Sequence, residues 1–363
     1  APVRSAAVVA VASVIFHASI LSAPSETAVD ALRAGNTDYT ATRGKPALRR
    51  AIAARYDRRY GVDVDPERIV VTPGSSPGLF LALAAHVDPG ETVALTDPHY
   101  ACYPNFVRLV EGKRATIPLD ATAGFRPKVA AFASAIDDDT SAVLVNSPAN
   151  PTGAVIDGET LAGIARVAAR HDATVVADEI YHGLAYDVEE HTILEYTDEA
   201  VVLDGFSKRY AMTGWRLGWM VVPPGAVDVV NRLAQNVLLC APNFVQDAGI
   251  AALESDPGRL EAIRDRYRER RDLLVRALED WGLDLGYTPD GAYYVLADVS
   301  DLPGTAVEVA DLLLEDAGVA VTPGVDFGEQ ASEYLRLSYA TDRASIAEAI
   351  RRIERTLETA ETV

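Results

Sequence analysis

Lysine is scarce in this chain: of its 33 lysines and arginines, only Lys45, Lys113, Lys128 and Lys208 are lysines. Lys208 stands in the run Gly205-Phe206-Ser207-Lys208-Arg209-Tyr210-Ala211-Met212-Thr213-Gly214-Trp215-Arg216. Where arginine supplies nearly all the positive charge, a retained lysine points to chemistry a guanidinium cannot perform. That chemistry is loss of a proton and attack on a carbonyl carbon to form a Schiff base. Two upstream segments bear on it: Asn146-Ser147-Pro148-Ala149-Asn150-Pro151-Thr152-Gly153, and Val175-Val176-Ala177-Asp178-Glu179-Ile180-Tyr181. These two segments and the Lys208 run each follow or include a short apolar β-branched run (Ala142 to Val145, Thr174 to Ala177, Val201 to Leu203), so polar groups appear where buried parallel strands would end. Open α/β sheets bind ligands at those carboxyl ends. Taken singly, Lys208 reads as a surface amine, Asn150-Pro151-Thr152-Gly153 as a plain turn and Asp178-Glu179 as a helix cap. Taken together, they read as one cofactor site.

The order Asn-Pro-Thr-Gly, Asp-x-x-Tyr, Ser-Lys, then arginine eight residues on, resembles the class I/II aminotransferases, pyridoxal-phosphate enzymes of fold type I. The Met212-Thr213-Gly214-Trp215-Arg216 run is most similar to the branch with many prokaryotic aspartate and aromatic aminotransferases. The resemblance extends from about Tyr39 to the C-terminus. It implies pyridoxal 5'-phosphate as cofactor, with Lys208, Asp178 and Tyr181 as catalytic residues. A carboxylate against the pyridine nitrogen keeps that nitrogen protonated and the ring electron-withdrawing, the role the resemblance gives Asp178. Tyr181 and Asn150 match the positions that hydrogen-bond the ring's phenolic oxygen.

Phosphate binding needs backbone donors at a helix start and a fixed cation. Val70-Val71-Thr72-Pro73-Gly74-Ser75-Ser76 reads as an apolar strand and a tight turn, and the apolar Leu79 to Ala85 as the helix after it. Gly74, Ser75 and Ser76 would then present free N–H groups to an anion. Arg216 matches the family arginine that pairs with the phosphate. Many relatives carry a serine three residues before the lysine; here that position is Gly205, and Ser207 stands in to supply a hydroxyl. Tyr100, in Asp97-Pro98-His99-Tyr100-Ala101-Cys102-Tyr103-Pro104, matches the tyrosine that stacks on the pyridine ring. Arg336, in the alternating strand Tyr334-Leu335-Arg336-Leu337-Ser338, matches the clamp for the substrate α-carboxylate, with Asn150 as a second substrate contact. Tyr39 corresponds to the residue reaching the phosphate of the neighbouring subunit, which implies a homodimer.

The chain departs from the family at its start. Relatives open with a Gly-Glu-Pro-Asp-Phe type segment, whereas His17-Ala18-Ser19-Ile20-Leu21 occupies that place and lacks the glycine. His17 is a candidate substrate contact, though a histidine beside an apolar run reads more simply as core or surface. The apolar stretch Ala6 to Phe16 has the length of a signal-peptide hydrophobic region but is too short to span a bilayer. We read it as a strand or helix of the small domain, and a cytoplasmic location as the expectation. Cys102 and Cys240 alone give no disulfide framework or metal spacing, so no metal site is expected.

With Asp+Glu 53 against Lys+Arg 33, the formal charge is −20. That excess argues against nonspecific affinity for nucleic acid or an anionic membrane. Dispersed acid with scarce lysine looks like a halophilic protein from a salt-rich cytoplasm, where surface repulsion is screened; the plain alternative is an ordinary acidic enzyme from a high-GC genome.

At 363 residues and 49% apolar content, the chain can bury a core large enough for two domains. The expected class is α/β: a large cofactor-binding domain, residues 33–245, with a mainly parallel sheet flanked by helices. A smaller α+β domain, residues 246–363, would pack with the N-terminal segment 1–32. Leu48 to Tyr56 reads as a helix, Gly291 to Ala297 as a small-domain strand, Gly304 to Gly318 as a helix, and Val319 to Thr322 and Leu335 to Tyr339 as strands. The function so implied is transfer of an amino group between an L-amino acid and a 2-oxo acid, 2-oxoglutarate foremost, by a ping-pong cycle. Two alternatives stay open: a carbon–sulfur lyase or related synthase on the same fold, and a pyridoxal-phosphate sensor domain without turnover. The amino donor is not fixed; Asn105 and Asn243 lie near positions that can border its pocket.

Overall fold

The computed structural model describes residues 9–10, 22–283 and 285–360. Its first part runs β1 (Val9–Ala10), α1 (Ser22–Arg33), α2 (Pro46–Tyr60), β2 (Ile69–Thr72), α3 (Ser75–His86), β3 (Thr92–Asp97), α4 (Tyr103–Leu109) and β4 (Lys113–Pro118). Next come α5 (Val129–Ala135), β5 (Thr140–Asn146), α6 (Gly158–Arg170), β6 (Thr174–Asp178), β7 (Ala200–Gly205), β8 (Gly218–Val221), α7 (Val227–Val237) and α8 (Asn243–Leu253). The last part holds α9 (Pro257–Asp280), β9 (Tyr294–Asp298), α10 (Ala306–Glu315), β10 (Val319–Ala320), β11 (Thr322–Pro323), β12 (Tyr334–Ser338) and α11 (Arg343–Ala360).

Seven strands form one sheet in the order β2-β8-β7-β6-β5-β3-β4. Neighbours from β7 across to β4 are parallel, while β8 runs antiparallel to both β2 and β7. The central strands are buried along nearly their whole length, which is why they read as continuous apolar runs. Alternate residues feed two cores: Val143, Val145, Val175 and Ala177 enter one, Leu144 and Val176 the other. Helices therefore cover both faces, with α3 and α7 on the second core and α2, α6 and α8 on the first. This is the α/β class expected from the sequence. Asp178 and Leu203 pair in register near the carboxyl ends of β6 and β7, so the polar segments that follow leave the sheet side by side.

A second sheet, β11-β12-β9, is antiparallel throughout, with Arg336 opposite both Leu296 and Thr322. The strand β1 pairs in parallel with β10, while α1 lies along α8. His17 to Leu21 lies outside the described residues. Among the described residues, no helix is long and apolar enough to cross a membrane.

Candidate active site

At the carboxyl ends of the parallel strands lies a cavity of about 370 Å³. Lys208, Asp178 and Tyr181 line it, as do Asn150, Ser207 and Tyr100. Ser75, Ser76, Arg216 and Arg336 complete the set of lining residues named from the sequence. Gly74 sits just behind, as the residue preceding α3, at φ 100. Any Cβ there would strike the Arg216 guanidinium, so glycine lets the arginine lie against the turn. The result places a cation beside the free N–H groups and positive dipole end of α3.

Asp178 is buried, and its Oδ2 accepts from the Tyr103 hydroxyl at 2.8 Å while its Oδ1 accepts from the Ile180 N–H at 3.2 Å. Burial pushes this carboxyl above its ordinary range, opposed by those two hydrogen bonds and by Lys208. Lys208 Nζ lies 5.3 Å from the centre of the Tyr181 ring and 5.6 Å from that of Tyr293. Burial pushes the amine's pKa down; Arg336 and Arg216 push the same way, against Tyr294 and Asp178. A lysine so placed gives up its proton more readily than one in water, which a carbonyl-attacking amine requires.

The Tyr181 hydroxyl donates to the Tyr294 hydroxyl at 3.3 Å, and burial holds the Tyr181 phenol well above its usual pKa. Asn150 is fixed at its backbone by the Asn146 side chain at 2.7 Å, and its Oδ1 accepts from Arg336 Nη1 at 2.9 Å. The Arg336 guanidinium lies between two rings, 4.3 Å from the Tyr294 centroid and 4.5 Å from that of Phe327.

Several lining residues carried no assignment from the sequence. Tyr103, Asn146, Thr213 and Tyr294 all border the cavity. Tyr103 had a signal, standing three residues after Tyr100 where the Tyr-Pro pair opens α4. Tyr294 had none, because it read as part of a small-domain strand and reaches the cavity only through the tertiary fold. Asn105 and Asn243 do not line the cavity; Asn243 instead donates to the Asp38 carbonyl at 3.3 Å. Tyr39 is 81% exposed and lies away from its own chain's cavity. At Gly205 a Cβ would lie 3.0 Å from both Gly218 Cα and the Leu217 carbonyl oxygen, so a side chain there would press on the backbone entering β8.

One enclosed amine, one buried carboxylate, one arginine beside a helix start and a second between two aromatic rings suit a phosphorylated aldehyde cofactor and a carboxylate-bearing substrate. Residues 19–353 match the family model described as Aminotransferase class I and II. The chain belongs to this family. It is 39% identical over 330 residues to the valine–pyruvate aminotransferase of Mycobacterium tuberculosis, covering 90% of this chain and 85% of that one. It is 38% identical over 336 residues to the aspartate/prephenate aminotransferase of Thermus thermophilus, covering 92% and 86%. Among solved structures, the aspartate aminotransferase of Thermus thermophilus with maleate superposes with a TM-score of 0.92 at 36% identity, covering 96% of this chain and 92% of that one. The aromatic aminotransferase of Pyrococcus horikoshii gives 0.93 at 32% identity, covering 98% and 97%. This aminotransferase depends on pyridoxal phosphate, and its substrates are amino acids and 2-oxo acids.

Proposed function

We propose that the transamination is carried by Lys208, Asp178 and Tyr181, with Arg336 orienting the substrate. The observation that carries this reading is the enclosure of the Lys208 amine, its pKa pushed down by burial, in one cavity with the buried Asp178 carboxylate. When bound, pyridoxal phosphate supplies an electron sink for the bond broken at the substrate Cα. Lys208 would hold its aldehyde, Asp178 its pyridine nitrogen, Tyr181 and Asn150 its phenolic oxygen. Gly74, Ser75, Ser76, Ser207 and Arg216 would hold its phosphate, and Tyr100 would stack on its ring. Arg336 pairs with the substrate carboxylate and so selects which Cα bond faces the ring. Lys208, as a neutral amine in the same cavity, would take the proton from the substrate Cα and hold it for return.

Lys208→Ala tests the assignment. Turnover should fall on the order of 10⁴-fold, and the visible absorption of the bound cofactor should change and stop responding to added amino acid. A variant that retains the wild-type band and bleaching would remove Lys208 from the role.

The finer reading has four parts. The acceptor is 2-oxoglutarate or pyruvate, the second being the acceptor in the name of the valine–pyruvate relative; a ping-pong pattern of parallel double-reciprocal lines with one and not the other decides it. The active unit is a homodimer. Tyr39 and Leu239, 81% and 57% exposed, support this, because they sit on adjoining segments tied by the Asn243 bond to Asp38. Equilibrium sedimentation of Tyr39→Ala, expected to weaken the dimer and cofactor retention together, tests it. The charge of −20 supports a salt-rich cytoplasm as the working medium, to be checked by melting temperature rising with KCl. Division into 33–245 and 246–363, with 1–32 on the smaller part, is the domain reading; limited proteolysis would map it.

A further inference from the structure

Three cavity residues are each followed in the chain by a charged or titratable residue that belongs to a second, buried cluster: Asp178 by Glu179, Tyr181 by His182, Lys208 by Arg209. The Glu179 carboxylate accepts from Thr192 Oγ1 and the Ile193 N–H, each at 2.9 Å, and lies 3.2 Å from His182 Nδ1. His182 Nδ1 stands 2.7 Å from the Tyr60 hydroxyl, which donates to Glu190 at 2.9 Å. Glu190 in turn accepts twice from the Gly183 N–H, at 2.9 and 2.8 Å, and pairs with Arg59 at 2.6 Å. Arg209 lies so close to Gly183 that any Cβ there would collide with its side chain. On β7, Asp204 pairs with Arg55 at 3.0 Å, both nearly inaccessible, and the Arg55 guanidinium lies 5.3 Å from the Trp219 ring centre.

The cluster therefore joins three elements. Helix α2 contributes Arg55, Arg59 and Tyr60; the segment after β6 contributes Glu179, His182 and Glu190; β7 and its following turn contribute Asp204, Arg209 and Tyr210, with Tyr210 beneath the Arg209 guanidinium at 5.9 Å. Burial pushes His182 down to about 3, so a neutral imidazole stands between two ion pairs, Arg55 with Asp204 and Arg59 with Glu190, while Arg209 packs on Gly183 and Tyr210 without an ion pair of its own among the described residues. Buried ion pairs seldom stabilise a fold better than apolar packing would, because desolvation offsets most of the attraction. What such a network does supply is direction: each partner is held at a set distance from the others.

We propose that this charge network is a positioning device for the reaction, in which Glu179, His182 and Arg209 hold their chain neighbours Asp178, Tyr181 and Lys208 in fixed mutual geometry. The proposal rests on the reading of those three cavity residues given above. Small displacements of such groups cost rate more than affinity. The substrate carboxylate meets Arg336, from another sheet, so substrate binding is left largely intact.

The test uses the holoenzyme with Arg209→Gln and Arg209→Lys, chosen because Arg209 is half-buried and packs against Gly183 without an ion pair among the described residues, and Glu179→Gln as a second site. Arg209→Gln should shift the pH midpoint of the bound cofactor's visible absorption by about half a unit or more, alter its visible circular dichroism, and lower kcat about tenfold. KM for the amino acid should change less than about twofold, and Arg209→Lys should recover most of the loss. A lower melting temperature with unchanged midpoint, dichroism and kcat overturns the proposal, as does failure of both Arg209 variants to fold, since the network would then serve stability alone. Lys208→Ala in parallel separates the two layers. If it retains the wild-type band, the underlying reading fails; if it loses the band while the Arg209 variants stay silent, only the positioning role fails.

Discussion

Arg216 and Arg336 line the same cavity and are held in opposite ways. Arg216 is exposed, adopts a left-handed backbone at φ 52, and donates from Nη1 to the Thr213 carbonyl at 2.9 Å. Its neighbour is the start of α3, so helix N–H groups add to a charge that water partly screens. Arg336 is buried in the middle of β12, between the Tyr294 and Phe327 rings, with Nη1 on Asn150 and Nη2 on Thr322 Oγ1 at 3.3 Å. Asn150 and Thr322 orient the guanidinium through neutral oxygens. A desolvated, pre-oriented cation acts strongly on a ligand that arrives and leaves. An exposed one needs the helix terminus beside it to hold a ligand that stays.

The largest effects should come from breaking each arginine in turn. Arg336→Gln should cost about 2–4 kcal/mol of substrate interaction, roughly 30- to 10³-fold in kcat/KM, because a buried charged contact is lost outright. Cofactor affinity should stay within about threefold, since a contact this far from the helix start adds little to the phosphate. Arg216→Gln should reverse the pattern, with the cofactor Kd rising about tenfold for an exposed charge-assisted contact. At saturating cofactor, kcat/KM should be close to that of the parent. Steady-state kinetics across cofactor concentrations checks both; equal losses in the two variants would mean that the arginines serve one ligand.

The same contrast marks how much could be read before the structure. Residues at the ends of β5, β6 and β7 announce themselves, because an apolar run stops and a polar motif begins: β5 ends at Asn146, β6 at Asp178, and Lys208 follows β7 by three residues. The helix expected from Leu79 to Ala85 lies within α3, and that expected from Leu48 to Tyr56 lies within α2. Local patterning carries such features because their cause is local. Tyr294 and Phe327 are placed by pairing between distant strands and by packing across the cavity, and no short window records that. The insertion of antiparallel β8 between β2 and β7 was equally silent, although it brings the Gly218 backbone close against position 205. Glu179, Arg209 and Asp204 carry no sign of their enclosure in the sequence, since burial of a charge becomes visible only with its partners.

The aromatic sandwich sets a smaller effect. Tyr294→Leu removes one face from Arg336 and should raise KM for the amino acid up to about tenfold, the range of a desolvated cation–π contact. Tyr294→Phe retains the face and loses only the hydroxyl that receives Tyr181, so its change should stay under about threefold. If Phe proves as damaging as Leu, the hydroxyl and not the ring face governs Arg336.

The smallest effect sharpens the comparison most. Burial is the first cause of the low Lys208 pKa, and both arginines add to it, Arg336 ahead of Arg216. Removing either positive charge should therefore raise the midpoint at which the apoprotein's Lys208 reacts with a small aldehyde, by more for Arg336→Gln than for Arg216→Gln. The folded amine sits below its ordinary value of 10.5, so between the two the unfolded chain binds more protons and apoprotein stability rises with pH. Each variant should flatten that rise. Raising KCl toward about 1 M, where the screening length falls to about 3 Å, should erase the contribution of Arg216 before that of Arg336. Equal sensitivity to salt would show that burial does not distinguish the two cations.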